Sequence, residues 1–277
     1  MSIKNDKLLI SSDFYSVQGE GISSGVPSYF VRLSHCNLSC GMSTMMLNAI
    51  KKAGPEALED GEIFVGDLHE KGEATWTCDS TSQWAIRGVD QDFDYLINRW
   101  IEEQIYGQVA SGLIHIIWTG GEPTMPAHQE AICNFLDYAW TEDEGFEPYN
   151  EIETNGTFVI GDRLFNELDQ INCSPKLANS GMSAKRRIKP EAIKRIMSHK
   201  NYQFKFVIST EEDVKEIFRD FIEPFSIPLQ NVVCMPGLDD QTDFHERTNF
   251  VLEMAKKYMF RGLTRLHISA WDKTLNV

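Results

Sequence analysis

The chain has 277 residues, 42% of them hydrophobic, with 41 acidic against 26 basic side chains and a net charge of −15. That length buries one substantial core and leaves little for a second full domain. The acidity excludes a phosphate-tracking surface for nucleic acid, which would need Lys and Arg in excess. No apolar run reaches the roughly 18 residues of a membrane span. Met1–Lys7 leads into only a short apolar stretch, so no secretory signal is expected and the expected location is the cytoplasm. Six cysteines are too sparse for a disulfide scaffold, and Cys133, Cys173 and Cys234 lie in apolar segments where a small hydrophobe serves as core.

Hydrophobic runs in chain order predict strands at Tyr29–Leu33, Ile114–Trp118, Tyr149–Glu153, Ile171–Ser174, Phe204–Ile208, Asn231–Met235 and Arg265–Ser269. Helical patterns fall between them at Phe93–Tyr106, Gln129–Trp140, Arg163–Leu168, Pro190–Ser198, Glu211–Phe221 and Phe244–Tyr258. This repeated βα order predicts an α/β fold with a parallel sheet, without separating a doubly wound sheet from an open barrel. Parallel sheets place ligand sites at their strand ends, and that is where the informative fragments fall.

The first fragment is the compact pair Cys36-Asn37-Leu38-Ser39-Cys40; a third candidate, Cys78, follows after 37 intervening residues. Three thiolates can hold three irons of a four-iron cluster and leave the fourth open to a ligand. The other readings are zinc, for which the chain offers no Cys-x-x-Cys or His-x-x-x-His pair, and ordinary buried thiols. Thr119-Gly120-Gly121-Glu122-Pro123 and Ser174-Pro175-Lys176 taken alone are turn sequences. The basic run Lys185-Arg186-Arg187 with Lys189 reads as a solvated loop.

Several fragments together resemble the 7-carboxy-7-deazaguanine synthase family of radical S-adenosylmethionine enzymes. They are Phe14-Tyr15-Ser16-Val17-Gln18-Gly19-Glu20-Gly21, Phe30-Val31-Arg32-Leu33, Cys36 to Cys40, Cys78-Asp79-Ser80 and Trp118 to Pro123. Ile152-Glu153-Thr154-Asn155-Gly156-Thr157, Ser174 to Lys176, and Leu266-His267 with Trp271 extend the likeness over nearly the whole chain. The resemblance implies an open or partial (β/α) barrel of the radical type, in a single domain over 1–277. It also implies a carbon–nitrogen lyase that converts 6-carboxy-5,6,7,8-tetrahydropterin to 7-carboxy-7-deazaguanine with release of ammonia.

Cofactors and site residues follow from the same resemblance. Cys36, Cys40 and Cys78 would ligate a 4Fe-4S cluster whose open iron chelates S-adenosylmethionine. Thr77, Asp79, Gly120, Gly121, Glu122, Ser174, Pro175 and Lys176 would surround that cofactor, and Glu153 would reach its ribose or face solvent. The glycine pair lets backbone approach the methionyl group, and Glu122 accepts from its ammonium. Val17, Gln18, Gly19, Glu20, Arg32, Thr119 and the terminal Val277 would contact the pterin, with the Arg32 guanidinium on its carboxylate. Ser80, or the adjacent Thr81, would offer a hydroxyl to Mg2+. The implied partners are the pterin, an external electron donor of flavodoxin or ferredoxin type, and a second copy in a homodimer.

The chain departs from the family pattern between Cys40 and Cys78, since the second and third cluster cysteines are usually separated by only two residues, so segment 41–75 reads as an insertion. Closing the longer loop costs roughly 2.5 kcal/mol by the logarithmic rule, tolerable if the segment packs. Helical composition at Met42–Lys52 and a turn with an acidic helix fragment at Pro55–Glu62 predict a small subdomain beside the cysteines. An insertion at that place keeps open a radical activase acting on a partner protein, and a non-catalytic descendant that binds through the insert.

Overall fold

Strand order decides the architecture that hydrophobic periodicity leaves open. The computed structural model describes residues 6–42, 48, 52, 74–76, 78, 88–238, 241–272 and 274. Among them lies one nine-stranded sheet in the order β3-β1-β2-β4-β5-β6-β7-β8-β9. Its strands are β1 Leu8–Val17, β2 Pro27–Leu33, β3 Val89–Gln91, β4 His115–Gly120, β5 Asn150–Thr154, β6 Gln170–Cys173, β7 Tyr202–Ile208, β8 Val232–Pro236 and β9 Arg261–Gly262. β1 pairs antiparallel with β2 and β3, whereas every pairing from β2 to β9 is parallel. A doubly wound sheet reverses its strand order at a switch point. From β2 to β9 this order never reverses, so right-handed crossovers lay their helices on one face and leave the other as the inside of an open, partial barrel.

The crossovers carry α1 Asp94–Glu102, α2 Tyr106–Ala110, α3 Pro126–Glu142, α4 Asp162–Glu167, α5 Ala184–Arg187, α6 Pro190–Met197, α7 Glu211–Ile217, α8 Glu223–Phe225 and α9 Phe244–Tyr258. After β9 the chain forms α10, Leu266–Trp271. Side chains alternate across each strand. Val31, Trp118, Ile152, Ile171 and Phe204 are fully buried on the helix-covered side. On the inner side polar residues stand in register, Arg32 opposite Thr119, Glu153 opposite Asn172, and Asn172 opposite Gln203.

Trp100 of α1 anchors the helix layer, edge-on to Tyr29 at 5.7 Å and to Phe135 at 5.9 Å and stacked on Phe146 at 6.1 Å. Its burial is complete. Trp100→Ala leaves a cavity at a three-ring junction and should lower unfolding free energy by about 3–5 kcal/mol in urea titration. Cys133, Cys173 and Cys234 are buried, as a core reading requires.

Four expectations change. Arg265–Ser269 is not a strand: after a two-residue β9 the chain leaves the sheet edge, and the Leu266 amide donates to the Gly19 carbonyl at 3.0 Å, which starts α10. The helix expected at Phe93–Tyr106 divides at Gln104, whose φ of 61° cannot continue a right-handed helix. That expected at Glu211–Phe221 begins on the Thr210–Asp213 capping box and loosens into a π-helical turn at Phe218–Ile222. The basic run is not wholly solvated, because Arg187 is buried and paired with Glu216 at 2.5 Å and Asp220 at 3.6 Å. The subdomain expected within 41–75 lies outside the described residues except at 41, 42, 48, 52, 74 and 75.

Candidate active site

At the end of β2 the chain enters the Cys36–Cys40 turn and leaves it at Gly41, whose amide donates to Ser180 at 2.9 Å. It returns at Thr75, whose amide donates to the neighbouring Asn179 at 2.9 Å. Both ends of the long excursion are therefore pinned to one turn, Ala178–Ser180, and the Cys78 amide reaches the Cys40 carbonyl at 3.4 Å. Cys36, Cys40 and Cys78 thus share one small apolar cluster with Leu38, Trp76 and Met182 despite their separation in sequence.

The donor set fits a cluster ligand. The Leu38 amide donates to Cys36 Sγ at 3.5 Å and Asn155 Nδ2 donates to the same sulfur at 3.9 Å, the N–H-to-sulfur contacts that steady cluster thiolates. Burial pushes the Cys40 thiol up to about 12, with Lys176 pulling it back, so metal binding there must displace a proton. Among the described residues no three His, Cys, Asp or Glu side chains group as ligands of a single ion.

The glycine loop after β4 is zipped to the cysteine turn. Gly121 donates to the Leu33 carbonyl at 2.8 Å and Glu122 to the His35 carbonyl at 2.8 Å. A Cβ at Gly121 would overlap the His35 carbonyl oxygen, and one at Gly120, where φ is 110°, would overlap the Leu33 backbone. The structural need for both glycines is therefore backbone against backbone.

Glu122 is wholly buried. Its Oε1 accepts from the Thr124 amide at 3.0 Å, the Thr124 hydroxyl and the Thr154 hydroxyl at 2.7 Å, and its Oε2 from the Asn155 amide at 2.7 Å. It ties the β4 loop to the β5 loop and keeps acceptor capacity only on Oε2 for a ligand. At the end of β6 the Ser174 amide donates to Thr154 at 2.7 Å, Pro175 is buried, and Lys176 Nζ donates to the Ser174 hydroxyl at 3.0 Å while lying 5.5 Å over the Trp76 ring.

On the inner face the β1–β2 loop closes over the sheet from Val17, the last residue of β1. Gln18 is buried and donates to Glu153 Oε1 at 3.2 Å; Thr119 donates to Glu153 Oε2 at 3.3 Å. Arg32 lies over the Phe14 ring at 4.6 Å. A Cβ at Gly19 would overlap the His267 imidazole. Glu20 receives Lys205 Nζ on Oε2 at 3.2 Å and Arg265 Nε on Oε1 at 2.8 Å, and Lys205 also reaches Glu153 Oε1 at 2.8 Å. Thr77, Asp79, Ser80, Thr81 and Val277 lie outside the described residues.

Sequence reasoning missed Lys205, His267's neighbour Arg265, and Gln203. The signal was a lone lysine inside the apolar run Phe204-Lys205-Phe206, since a charge in a strand buried on both faces must be paired. Lys205 is 2% exposed. Lys205 and Arg265 hold the Glu20 carboxyl well below its ordinary 4.5 against the opposing effect of burial. A depressed carboxylate stabilises the fold above its unfolded value and loses that contribution as pH falls. Urea midpoints should accordingly hold from pH 7 to about 5 and drop on acidification below about 4.5, with less of a drop in Glu20→Gln.

An open parallel sheet with three thiols gathered beyond its first parallel strand defines the class, a partial (β/α) barrel with a thiol-lined site at its strand ends. The fold is similar to that of QueE from Escherichia coli, with a TM-score of 0.56 and 20% identity over 94% of this chain and 95% of that one. No family model matches the chain. The 7-carboxy-7-deazaguanine synthase of Aquifex aeolicus is 30% identical over 95% of this chain and 94% of its own length. That of Pyrobaculum aerophilum is 28% identical over 93% and 92%. The chain belongs to the 7-carboxy-7-deazaguanine synthase family. No helix among the described residues is long and apolar enough to cross a membrane.

Proposed function

We propose that the chain is a radical S-adenosylmethionine lyase converting 6-carboxy-5,6,7,8-tetrahydropterin to 7-carboxy-7-deazaguanine with release of ammonia. The observation that carries this reading is the return of the chain to Cys40 at Cys78, which gathers three thiols beside the Gly120–Glu122 loop. A 4Fe-4S cluster on Cys36, Cys40 and Cys78 would supply the electron that splits S-adenosylmethionine to a carbon radical. The chain's part is to hold, orient and shield. Ser174 and Lys176 line the cofactor side with Pro175, and Glu122 offers its remaining acceptor there. Arg32 takes the pterin carboxylate with paired donors, while Gln18, Glu20 and Thr119 take the edges of the heterocycle.

Further parts of the reading concern residues outside the described set and other molecules. Ser80 or Thr81 gives Mg2+ a hydroxyl, Thr77 and Asp79 complete the cofactor's surroundings, and the Val277 carboxylate reaches the substrate. The single domain spans 1–277, with 41–75 as its insertion. The electron comes from an external carrier of flavodoxin or ferredoxin type, and the working unit is a cytoplasmic homodimer. Neither a partner-protein activase nor a non-catalytic descendant is favoured, since the synthase relatives match over nearly the whole chain.

The test is anaerobic cluster reconstitution, then incubation with dithionite, Mg2+, S-adenosylmethionine and 6-carboxytetrahydropterin, with products read by mass spectrometry. 7-Carboxy-7-deazaguanine is the expected product. Cleavage of S-adenosylmethionine without deazaguanine would overturn the substrate, and failure to assemble a four-iron cluster would overturn the ligand set.

A further inference from the structure

The inner face holds two carboxylates, Glu20 and Glu153, with one ammonium between them: Lys205 Nζ lies 3.2 Å from Glu20 and 2.8 Å from Glu153. Arg265 closes the other side of Glu20 at 2.8 Å and is itself steadied by donating to the Leu238 carbonyl at 2.8 Å. Three separate parts of the chain, the β1–β2 loop, β7 and the start of α10, therefore meet at Glu20. An ammonium so deeply buried carries a desolvation cost that surface packing does not require, and a Met or Leu would fill the same space without it. Each carboxylate accepts from the cations and still keeps acceptor positions, because a carboxylate has about four lone-pair sites. Beside them Gln203, 1% exposed, donates to Asn172 at 2.6 Å while its Oε1 has no partner among the described residues.

We propose that Lys205 and Arg265 are positioning residues that hold the Glu20 and Glu153 side chains in place as acceptors, so that the site selects a heterocycle presenting an N–H-rich edge over an isostere presenting a carbonyl there. Fixed anions attract the amino and ring N–H groups of an aminopyrimidinone and repel an oxygen in the same place, discriminating by attraction and repulsion together. The inference rests on the pterin reading of the site. The groups facing Glu20 are Lys205 from β7, Arg265 and His267 from the C-terminal segment, and Glu153 from β5 through the shared lysine. Removing the Lys205 charge leaves two acids sharing less countercharge, so the pH at which Glu20 takes up a proton rises.

The experiment titrates the full-length protein, under anaerobic conditions and without S-adenosylmethionine, with 6-carboxypterin and with 6-carboxylumazine, in which an oxygen replaces the 2-amino group, following pteridine fluorescence. The wild-type protein is expected to prefer the pterin and to show a flat Kd between pH 8 and 5.5. Lys205→Met should weaken pterin binding roughly 30-fold, narrow the pterin-to-lumazine preference, and bind more weakly still as pH falls. Lys205→Arg should recover most of the preference. A Lys205→Met protein within threefold of wild type with the preference intact overturns the proposal, as does equal loss for both ligands with an unchanged pH profile. If Lys205→Met does not fold by circular dichroism, Arg265→Gln decides on the same criteria. A wild-type protein that binds neither pteridine overturns the pterin reading instead and is thereby distinguished.

Discussion

Anaerobically reconstituted Cys78→Ala protein is expected to fold, to lack the absorbance of a four-iron cluster and to form no detectable product. Cys78 is half-buried, and the truncation removes one sulfur from the edge of a small apolar cluster, a loss of about 1 kcal/mol. Its thiol is one of the three that gather beside the glycine loop, and two thiolates leave the cluster open at a second iron. The contrast is Cys173→Ala. Cys173 is fully buried at the end of β6, beside Gly156 rather than among the clustered thiols, so that change should lower the urea midpoint and leave turnover largely intact. Were Cys78→Ala to retain cluster and turnover, the gathering of the three thiols would be packing and nothing more. Iron content and circular dichroism measured on the same samples separate the two.

Gly121→Ala should be the most damaging glycine-to-alanine change among the described residues. The added carbon has no flexible neighbour to displace, since the atom in its way is the His35 backbone carbonyl, itself held by the Glu122 amide. His35 already adopts φ of 72°, which a side-chain-bearing residue rarely takes, so the turn has little freedom to move away. A destabilisation of about 3 kcal/mol or more is expected, with the cysteine turn displaced and cluster assembly impaired. Gly107→Ala is the internal control. It lies in α2 with open space at its Cβ position and should be neutral or stabilising by about 0.5–1 kcal/mol. Thermal melts and iron loading on the pair give the comparison.

The strands β2 and β4 to β8 were legible because a strand covered by helices needs nearly continuous apolar residues, as in Ile114–Trp118 and Phe204–Ile208. β1 was not, since Ser11, Ser12 and Asp13 interrupt its apolar start where a register shift between Ile10 and Ser12 sets it against β2. α10 misleads because Leu266 and Ile268 alternate with polar residues like a strand, while its helical state is set by contact with the distant Gly19. Motif fragments bring the thiols and the glycine loop into one expected site and give the glycines a task toward the cofactor; the second need for them, close approach of the His35 and Leu33 backbone, comes from a pairing of β2 and β4 that no motif spells. Lys205 hides for the reason that makes it informative. Periodicity carries the strand Phe204–Ile208 straight through its one lysine, and only two carboxylate partners, far away in sequence, give that lysine a task.

The hydrogen bond from Leu266 to Gly19 and the Arg265–Glu20 ion pair join residues near opposite ends of the chain. A nascent polypeptide emerges from its N-terminus, and the βα units can begin to collect as they appear, but the wall built from Glu20 has no counterpart until Arg265, 245 residues later, is made. Closing so long a loop is among the slowest steps open to a folding chain. The Glu20 corner of the inner face is thus assembled after the thiols and the glycine loop, and a chain stopped before Arg265 would carry both while lacking the Arg265 half of the clamp on Glu20.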